Sequence, residues 1–203
     1  PWCHGQQSGE GSELGALKWG SDTSLEFRRQ MLLPFWAHHL KREKPSEPLP
    51  KVLAFETGAN RWRQYDSWPP TDQTKSAHLY LHEEGCLSFD RPKKATESFT
   101  EYISDPAKPV PYRVRPIVPS FGGQGSTWRR WLVDDQRPFA DRTDVITFVS
   151  PFLEKTVTVS GEITATLFAS TTGTDADWVV KFIDLYPNEV PAEPSMGGYQ
   201  FMI

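Results

Sequence analysis

The sequence predicts a mostly β chain, with a β-sandwich or jelly roll from Lys51 onward and a helical segment before it. About eight short runs of alternating or β-branched residues follow Lys51 at near-regular spacing. Eighteen prolines and fourteen glycines are many for a helical protein and ordinary for strands joined by loops. Aromatic residues make up 13% of the chain, and their large side chains can fill the core between two sheets.

Composition excludes some classes of partner. The 203 residues carry a formal net charge of −4, which gives no electrostatic reason to expect nucleic acid or an anionic membrane. No run approaches the roughly 18 apolar residues of a membrane-spanning helix. Cys3 and Cys86 are too few for a disulfide framework. We expect two unpaired thiols, although a single disulfide between them stays open, and so does the compartment.

Residues 1–41 predict a loop followed by a helix. Glycine, serine and glutamine dominate the first twenty positions, and Thr23 and Glu26 then have the spacing of a capping box. The helix should run to about Lys41, with a kink at Pro34. Its apolar side chains share one face, which we expect to be buried. They are Phe27, Met31, Leu32, Phe35, Trp36 and Leu40.

A charged, proline-rich linker at 42–50 separates this segment from the predicted sandwich at 51–203. The first strand is expected at 51–56 and ends in a turn at 57–60. Further short strands are expected at 78–82, 99–103, 112–118, 144–150 and 156–160.

The clearest strand pattern lies at 162–187. Apolar and polar residues alternate over 163–170, so one face of a strand should point to a core. Thr, Gly and Asp then concentrate at 171–177, where a turn is expected. A β-branched and aromatic run at 178–186 predicts the second strand of the pair.

Both ends of the chain lie within patterned sequence. The chain opens on Pro1 without an initiator Met, and residues 197–203 enter what looks like another strand. We therefore expect a longer protein in which the sandwich continues beyond Ile203.

The histidine pairs do not predict a metal site. His38 and His39 are adjacent, so they point to different faces of a helix. His78 and His82 would lie about 13 Å apart along a strand, too far for one ion. The glycine-rich stretch at 120–126 lacks the lysine of a phosphate-binding P-loop, and we interpret it as an ordinary loop.

Several tryptophans leave a binding role open. Trp128 and Trp131 flank two arginines and could stack on a base or a sugar, but packing in a core is the commoner role of such residues. With Trp62 and Trp68 they could line a carbohydrate site on a jelly roll. A non-catalytic module that binds carbohydrate or protein is therefore one hypothesis, and a purely structural sandwich is another.

Motifs along nearly the whole chain resemble the α-amino-acid ester hydrolases, within the wider group that holds cocaine esterase and the X-prolyl dipeptidyl-peptidases. The longer motifs are specific, whereas the first would be weak alone. They are PWCHG at 1–5, SELGALKWG at 12–20, PFW at 34–36, ETGANRW at 56–62, YISDPAKPVPY at 102–112, WLVDDQRPFADRTDVITF at 131–148, STTGTDADWVVKFIDLYP at 170–187 and MGGY at 196–199.

The resemblance implies a serine hydrolase with an α/β-hydrolase domain, a helical cap and a C-terminal jelly roll. Residues 1–41 would be the last loop and helix of the hydrolase domain, 42–50 a linker, and 51–203 a truncated jelly-roll, galactose-binding-like domain. His4 would be the catalytic histidine, since Pro1-Trp2-Cys3-His4 matches the family's Gly-Pro-Trp-x-His segment from its second residue on. No cofactor or metal is implied, and the compartment stays open, with a periplasmic or secreted location compatible with the resemblance.

The nucleophile and the acid of the triad would precede His4, because the α/β-hydrolase order is Ser, Asp, His. The chain contains no G-x-S-x-G motif and lacks the acidic cluster with which the amino-ester hydrolases read an α-ammonium group. The implied substrate is a small acyl ester or amide, such as a peptide or β-lactam, and X-prolyl dipeptidyl-peptidase activity is an alternative. A homo-oligomer stays open.

A histidine suits proton transfer because its pKa near 6.5 lets it accept and return a proton at neutral pH. Cys3 as nucleophile with His4 as its base is a further alternative. Neighbouring side chains of an extended loop point apart, so this pair is poorly placed for the contact of about 3 Å that the chemistry needs.

Overall fold

Strands and loops make up most of the chain, and one interrupted helix is its longest regular element. The structure is a computed structural model and describes residues 1–45, 47–93, 99–118 and 126–203. The chain divides into two compact units, the first formed by 1–70 with 115–134 and the second by 71–114 with 135–203. The predicted mostly β class is confirmed.

The first unit begins with a loop, a small hairpin and the helix. A 3-10 turn, Gln6–Ser8, precedes strands β1 (Glu13–Leu14) and β2 (Leu17–Lys18), which pair antiparallel. The helix then runs as α1 (Thr23–Phe27), a π-helical turn (Arg28–Leu32) and α2 (Leu33–Lys41). The predicted extent of the helix, from Thr23 to about Lys41, is confirmed.

The cap of this helix differs from the predicted capping box. Asp22 is the N-cap, and its side chain accepts a hydrogen bond from the Leu25 N–H at 3.0 Å. Thr23 is the first helical residue, and its hydroxyl donates to the Gly11 carbonyl instead. The prediction was wrong by one position because aspartate caps a helix as well as threonine does.

The predicted buried face of the helix is only partly covered. Phe27 packs on Trp2 at a ring distance of 5.2 Å, whereas Trp36 is 47% exposed and Leu40 73% exposed. The predicted burial of the second half is therefore wrong for the residues that the structure describes, whereas Phe27 in the first half packs on Trp2 and Trp62. A kink was expected at Pro34; the structure has a π turn, Arg28–Leu32, which ends before that proline, and Pro34 lies in the first turn of α2.

A longer hairpin follows the helix in the first unit. Strands β3 (Val52–Glu56) and β4 (Arg61–Tyr65) pair in register from Val52 opposite Tyr65 to Glu56 opposite Arg61. The four-residue turn between them needs positive φ angles, which Gly58 (81°) and Asn60 (50°) adopt. The strand and turn expected at 51–60 are confirmed. A 3-10 turn, Trp131–Val133, completes this unit.

The second unit is built on short pairs of strands. Strands β5 (Tyr80–Leu81) and β6 (Leu87–Ser88) pair antiparallel around a 3-10 turn, Glu83–Gly85. The short helix α3 spans Arg137–Ala140. Strand β7 (Ile183–Leu185) pairs antiparallel with β8 (Gln200–Met202), and the 3-10 turn Pro194–Met196 lies between them.

The alternating segment at 162–187 forms less strand than its pattern predicts. In the described chain only Ile183–Leu185 is a strand there. Ile163 is 51% exposed and Leu167 is 44% exposed, so the expected buried face is open as well. Alternation specifies which face a strand would bury, but only a neighbouring strand supplies its hydrogen bonds. The described residues offer no such neighbour to 163–170.

The other expected strands have the same outcome. Residues 99–103, 112–118 and 156–160 form no strand, and the segment 144–150 contributes one isolated bridge, between Val149 and Cys86. At 78–82 only Tyr80–Leu81 pairs. The glycine-rich loop expected at 120–126 lies outside the described residues except for Ser126.

Gln136 organises the interior of the second unit. Its side chain is 2% exposed, its N–H donates to the Gln200 carbonyl, and its Nε2 donates to the Tyr112 carbonyl. Lys181 Nζ donates to Gln136 Oε1 at 2.6 Å and lies over the rings of Tyr112 and Phe139. Burial lowers the pKa of this lysine. These contacts tie four distant segments together, so Lys181 stabilises the unit.

Candidate active-site loop

An aromatic cluster supports the loop that carries His4. The Trp2 ring lies 5.2 Å from Phe27 and 5.6 Å from Trp62, and Trp62 in turn lies 5.2 Å from Phe55. The Trp62 indole N–H donates to Glu26 Oε2 at 3.2 Å. The loop, the helix and the β3–β4 hairpin therefore pack around one aromatic cluster. The Trp62 ring is a member of this cluster.

Two hydroxyl contacts fasten the loop to the start of the helix. The Trp2 indole N–H donates to Thr23 Oγ1 at 2.8 Å, and Thr23 Oγ1 donates to the Gly11 carbonyl at 2.6 Å. Thr23 is fully buried. Because one hydroxyl both accepts and donates, a single side chain joins two parts of the loop to α1.

The backbone carbonyls around His4 are also engaged. The Pro1 carbonyl accepts from the Trp19 indole at 3.0 Å, and the Cys3 carbonyl accepts from the Gln6 N–H at 3.1 Å. The His4 carbonyl accepts from the Trp128 indole at 3.0 Å. The carbonyls of Pro1, Cys3 and His4 thus all accept hydrogen bonds, which restrain the loop.

Cys3 and Gln6 close the loop from within. Cys3 is 4% exposed, and both its N–H and its thiol donate to Gln6 Oε1, at 3.2 and 3.4 Å. Gln6 Nε2 donates to the carbonyls of Glu10 and Glu13. The Cys3 thiol is thus turned inward. Both cysteines of the chain are free thiols, as expected.

The His4 side chain points away from this packed interior. Its imidazole is exposed and has no hydrogen-bond partner among the residues that the structure describes. Gly5, the next residue, has a φ of 86°, a conformation that favours glycine. A rigid backbone thus presents a histidine side chain that is available to groups outside the described residues.

Asp22 links this loop to the start of the helix. It accepts from the N–H groups of Leu25 and Gly11, both at 3.0 Å. Hydrogen bonding by Leu25 is the main cause that lowers the pKa of its carboxyl, and Gly11 and Arg28 add to the effect. A negative charge also suits a helix N-terminus. Asp22 therefore holds the loop, the cap and the helix together as an ionised group.

The other histidines have local contacts. A ring nitrogen of His38 lies 3.1 Å from the Glu43 carbonyl, and His39 packs on Phe35. His82 Nε2 lies 2.9 Å from the Asp90 carbonyl, and His78 lies beside Tyr80. Over the described ranges, no group of three or more His, Cys, Asp or Glu side chains is arranged to hold a metal ion.

Among the described residues, a shallow cleft is present in each unit, and His4 lines neither of these two. The cleft of about 190 Å³ in the first unit lies between the helix and the hairpin, beside Glu26, Met31 and Trp62. The cleft of about 270 Å³ in the second unit is lined by residues such as Tyr102 and Thr147. In the described part of the chain, no helix has the length and hydropathy needed to cross a bilayer.

Comparison with known proteins places the chain in one family of C-terminal domains. The sequence model of the family described as the X-Pro dipeptidyl-peptidase C-terminal non-catalytic domain matches residues 46–200. The chain belongs to this family. His4 lies before the matched residues, whereas Trp62 and Trp128 lie within them.

Individual relatives agree with this assignment. A cocaine esterase of Rhodococcus sp. strain MB1 Bresler is 29% identical over 198 residues, which span 93% of this chain and 33% of the esterase. The crystal structure of an aminopeptidase from a marine-sediment Thaumarchaeota archaeon is 46% identical, with a TM-score of 0.85 over 100% of this chain and 32% of the aminopeptidase. An α-amino acid ester hydrolase structure is 39% identical, with a TM-score of 0.83 over 100% of this chain and 33% of the hydrolase.

The chain thus spans about one third of the length of these relatives. The predicted relationship to the ester hydrolase group is confirmed, and the matched fold agrees with a mostly β C-terminal domain of the jelly-roll type. The contact between Trp128 and His4 has no signal in the sequence, because the two residues are 124 positions apart. The pattern around Trp128 predicts only packing or a stacking platform.

Proposed function

We propose that this chain is the C-terminal part of a serine hydrolase that cleaves ester or amide bonds, and that His4 is the histidine of its Ser-Asp-His triad. The observation that carries the proposal is the presentation of His4. Hydrogen bonds from Trp19, Gln6 and Trp128 fix the backbone on both sides of a side chain that is itself exposed. A fixed backbone with a projecting imidazole is what a proton-transfer group requires.

The role of His4 in the proposed reaction is to move protons. Its imidazole takes the proton of the serine hydroxyl as that oxygen attacks the acyl carbon, and then returns the proton to the leaving alcohol or amine. The serine, the aspartate and the oxyanion donors come from other residues of the whole protein. Residues 1–41 carry the histidine and belong to the hydrolase domain. Residues 42–50 are the linker to the jelly-roll domain, which residues 51–203 form.

The proposed substrate is a small acyl ester or amide, including a peptide. The relatives support this range, because they bear the names of an esterase, an aminopeptidase and an amino acid ester hydrolase. Chemistry at Cys3 is not proposed, because its thiol is 4% exposed and donates to Gln6. Carbohydrate binding is not proposed either, because Trp62 is packed against three aromatic rings.

A fluorophosphonate probe tests the class of enzyme, because it modifies the activated serine of serine hydrolases. The whole protein should hydrolyse p-nitrophenyl esters, and the probe should stop this reaction by labelling one serine that precedes residue 1 of this chain. Peptide mapping locates the label. A label on Ser12 or Ser126, or hydrolysis that is indifferent to the probe, would refute the proposal.

A further inference from the structure

We propose that Trp128 is a positioning residue for His4. The inference rests on the proposed function, since it assigns a task in that reaction to a residue of the segment matched as non-catalytic. The Trp128 indole N–H donates to the His4 carbonyl at 3.0 Å. It acts through the backbone of His4, so it is not itself a catalytic residue.

The geometry explains how a bond to a carbonyl can direct a side chain. The His4 carbonyl belongs to the planar peptide group that joins His4 to Gly5. Rotation of this group changes the ψ angle of His4 and moves its oxygen away from the Trp128 indole. Gly5, at a φ of 86°, lacks the side chain that would otherwise restrict the next torsion. The Trp128 bond thus restrains the His4–Gly5 peptide group. The torsion on the other side of this group is the φ angle of Gly5, which no side chain restricts.

Trp128 can restrain His4 only if its own segment is fixed, and the contacts show that it is. The N–H groups of Arg130 and Trp131 both donate to the Thr127 carbonyl, at 2.9 and 3.0 Å, and Thr127 is 9% exposed. The Trp128 and Trp131 rings stack at 5.7 Å with an interplanar angle of 30°. The indole therefore has a defined orientation before it reaches His4.

The β1–β2 hairpin also holds this segment in place. Gly15 lies in the turn of the hairpin, and an added Cβ there would approach Val133 Cγ2 to 2.6 Å and the Arg130 Cα to 3.3 Å. The approach is close because Gly15 has no side chain. The Gln6 side chain, which closes the His4 loop, donates to the Glu13 carbonyl of β1. The hairpin thus contacts both the donor segment and the loop that it restrains.

The experiment uses the whole protein with Trp128→Phe, which keeps an aromatic ring for stacking on Trp131 and removes the N–H donor. Trp178→Phe is the matched control, because Trp178 is 42% exposed and makes no such bond among the described residues. Active enzyme is counted by titration with a fluorophosphonate. Because kcat is then expressed per titrated site, a variant that only loses folded protein keeps its kcat.

We expect Trp128→Phe to lower kcat per titrated site about 3- to 10-fold, the range of one ordinary hydrogen bond, with KM within about twofold of the parent. Trp178→Phe should match the parent in both. When His4 is already alanine, Trp128→Phe should reduce the residual rate no further, because its effect passes through His4.

Failure of this inference and failure of the proposed function give different results. If His4→Ala has nearly normal turnover, the proposed function is wrong. If His4→Ala is inactive but Trp128→Phe and Trp178→Phe have the same kcat per titrated site, the role of Trp128 is wrong. An equal loss from Trp128→Phe with and without His4 would also overturn it, because the tryptophan would then act by another route.

Discussion

The Trp2 indole donates a hydrogen bond to the buried Thr23 hydroxyl at 2.8 Å, across 21 residues of sequence. This contact joins the loop that presents His4 to the first turn of the helix. The same hydroxyl donates to the Gly11 carbonyl, so its loss would leave the Trp2 indole N–H without its partner and the Gly11 carbonyl with only the Thr23 backbone N–H, at 3.3 Å. Unpaired buried polar groups cost more than a hydrogen bond contributes.

Thr23→Val should therefore lower the free energy of unfolding by about 1–3 kcal/mol, since it keeps the shape of the side chain and removes the hydroxyl. Thr23→Ser is the matched control and should lose much less, because it keeps both hydrogen bonds. Urea unfolding of the two variants checks this. Equal stability of the valine and serine variants would show that the hydroxyl is unimportant.

Gly5 and Gly20 offer a matched pair for the loop conformation. Their φ angles are 86° and 81°, and no atom lies within 4 Å of a Cβ added at either position. Alanine at each should therefore cost about 1–2 kcal/mol through backbone strain alone. Only Gly5→Ala should also reduce kcat, because Gly5 follows His4 directly. Thermal unfolding measures the loss of stability, and steady-state kinetics measure the loss of turnover. A similar kcat for both variants would contradict the claim that turnover depends on the backbone conformation beside His4.

Asp22 predicts a dependence of stability on acid pH. Hydrogen bonds from Leu25 and Gly11 lower the pKa of its carboxyl below the ordinary value of 3.8. The unfolded chain therefore binds this proton more readily than the folded chain does. The stability that the carboxylate provides is fully present above pH 3.8 and is lost as the pH falls through the lower, folded pKa.

Asp22→Asn should flatten this loss, because an amide can cap the helix but does not titrate. Asp66→Asn is the control, since the Asp66 side chain is 91% exposed. The measurement is urea unfolding between about pH 2 and pH 6. If Asp22→Asn loses stability on acidification as steeply as the parent, the lowered pKa is not the cause.

Lys181 predicts a purely structural effect in the second unit. Its Nζ donates to the buried Gln136 Oε1 and lies over two aromatic rings. Lys181→Met keeps much of the apolar stem and removes the donor, so it should lower the free energy of unfolding by about 1–2 kcal/mol. Lys155→Met at an exposed position should have little effect. Equal melting temperatures of the two variants would contradict this role for Lys181.

The sequence was informative where local rules decide the structure. The helix from Thr23 to Lys41 and the hairpin with a turn at Gly58 and Asn60 follow from periodicity and from residues that tolerate positive φ angles. The N-cap was misplaced because Asp22 and Thr23 are both good caps. Such a choice depends on which neighbour is needed elsewhere, and here Trp2 and Gly11 engage the threonine.

The sequence was less informative where distant segments decide. Alternation over 163–170 shows an amphipathic strand pattern, yet strand formation requires a partner, and Ile163 of the expected buried face is 51% exposed. The Trp128 contact with His4 has no local signature for the same reason. A resemblance in a short motif made His4 a candidate catalytic residue. Only the structure shows that hydrogen bonds hold its backbone and that its side chain is exposed.

The most direct test of the account is the turnover of His4→Ala in the whole protein, compared with His39→Ala on an exposed helix position. Because the His4 side chain makes no hydrogen bond among the described residues, its removal should leave the melting temperature unchanged. We predict that kcat falls by a factor on the order of 10³ to 10⁶ for His4→Ala, while His39→Ala stays near the parent. Near-normal turnover of His4→Ala would contradict the assignment of this histidine to the triad.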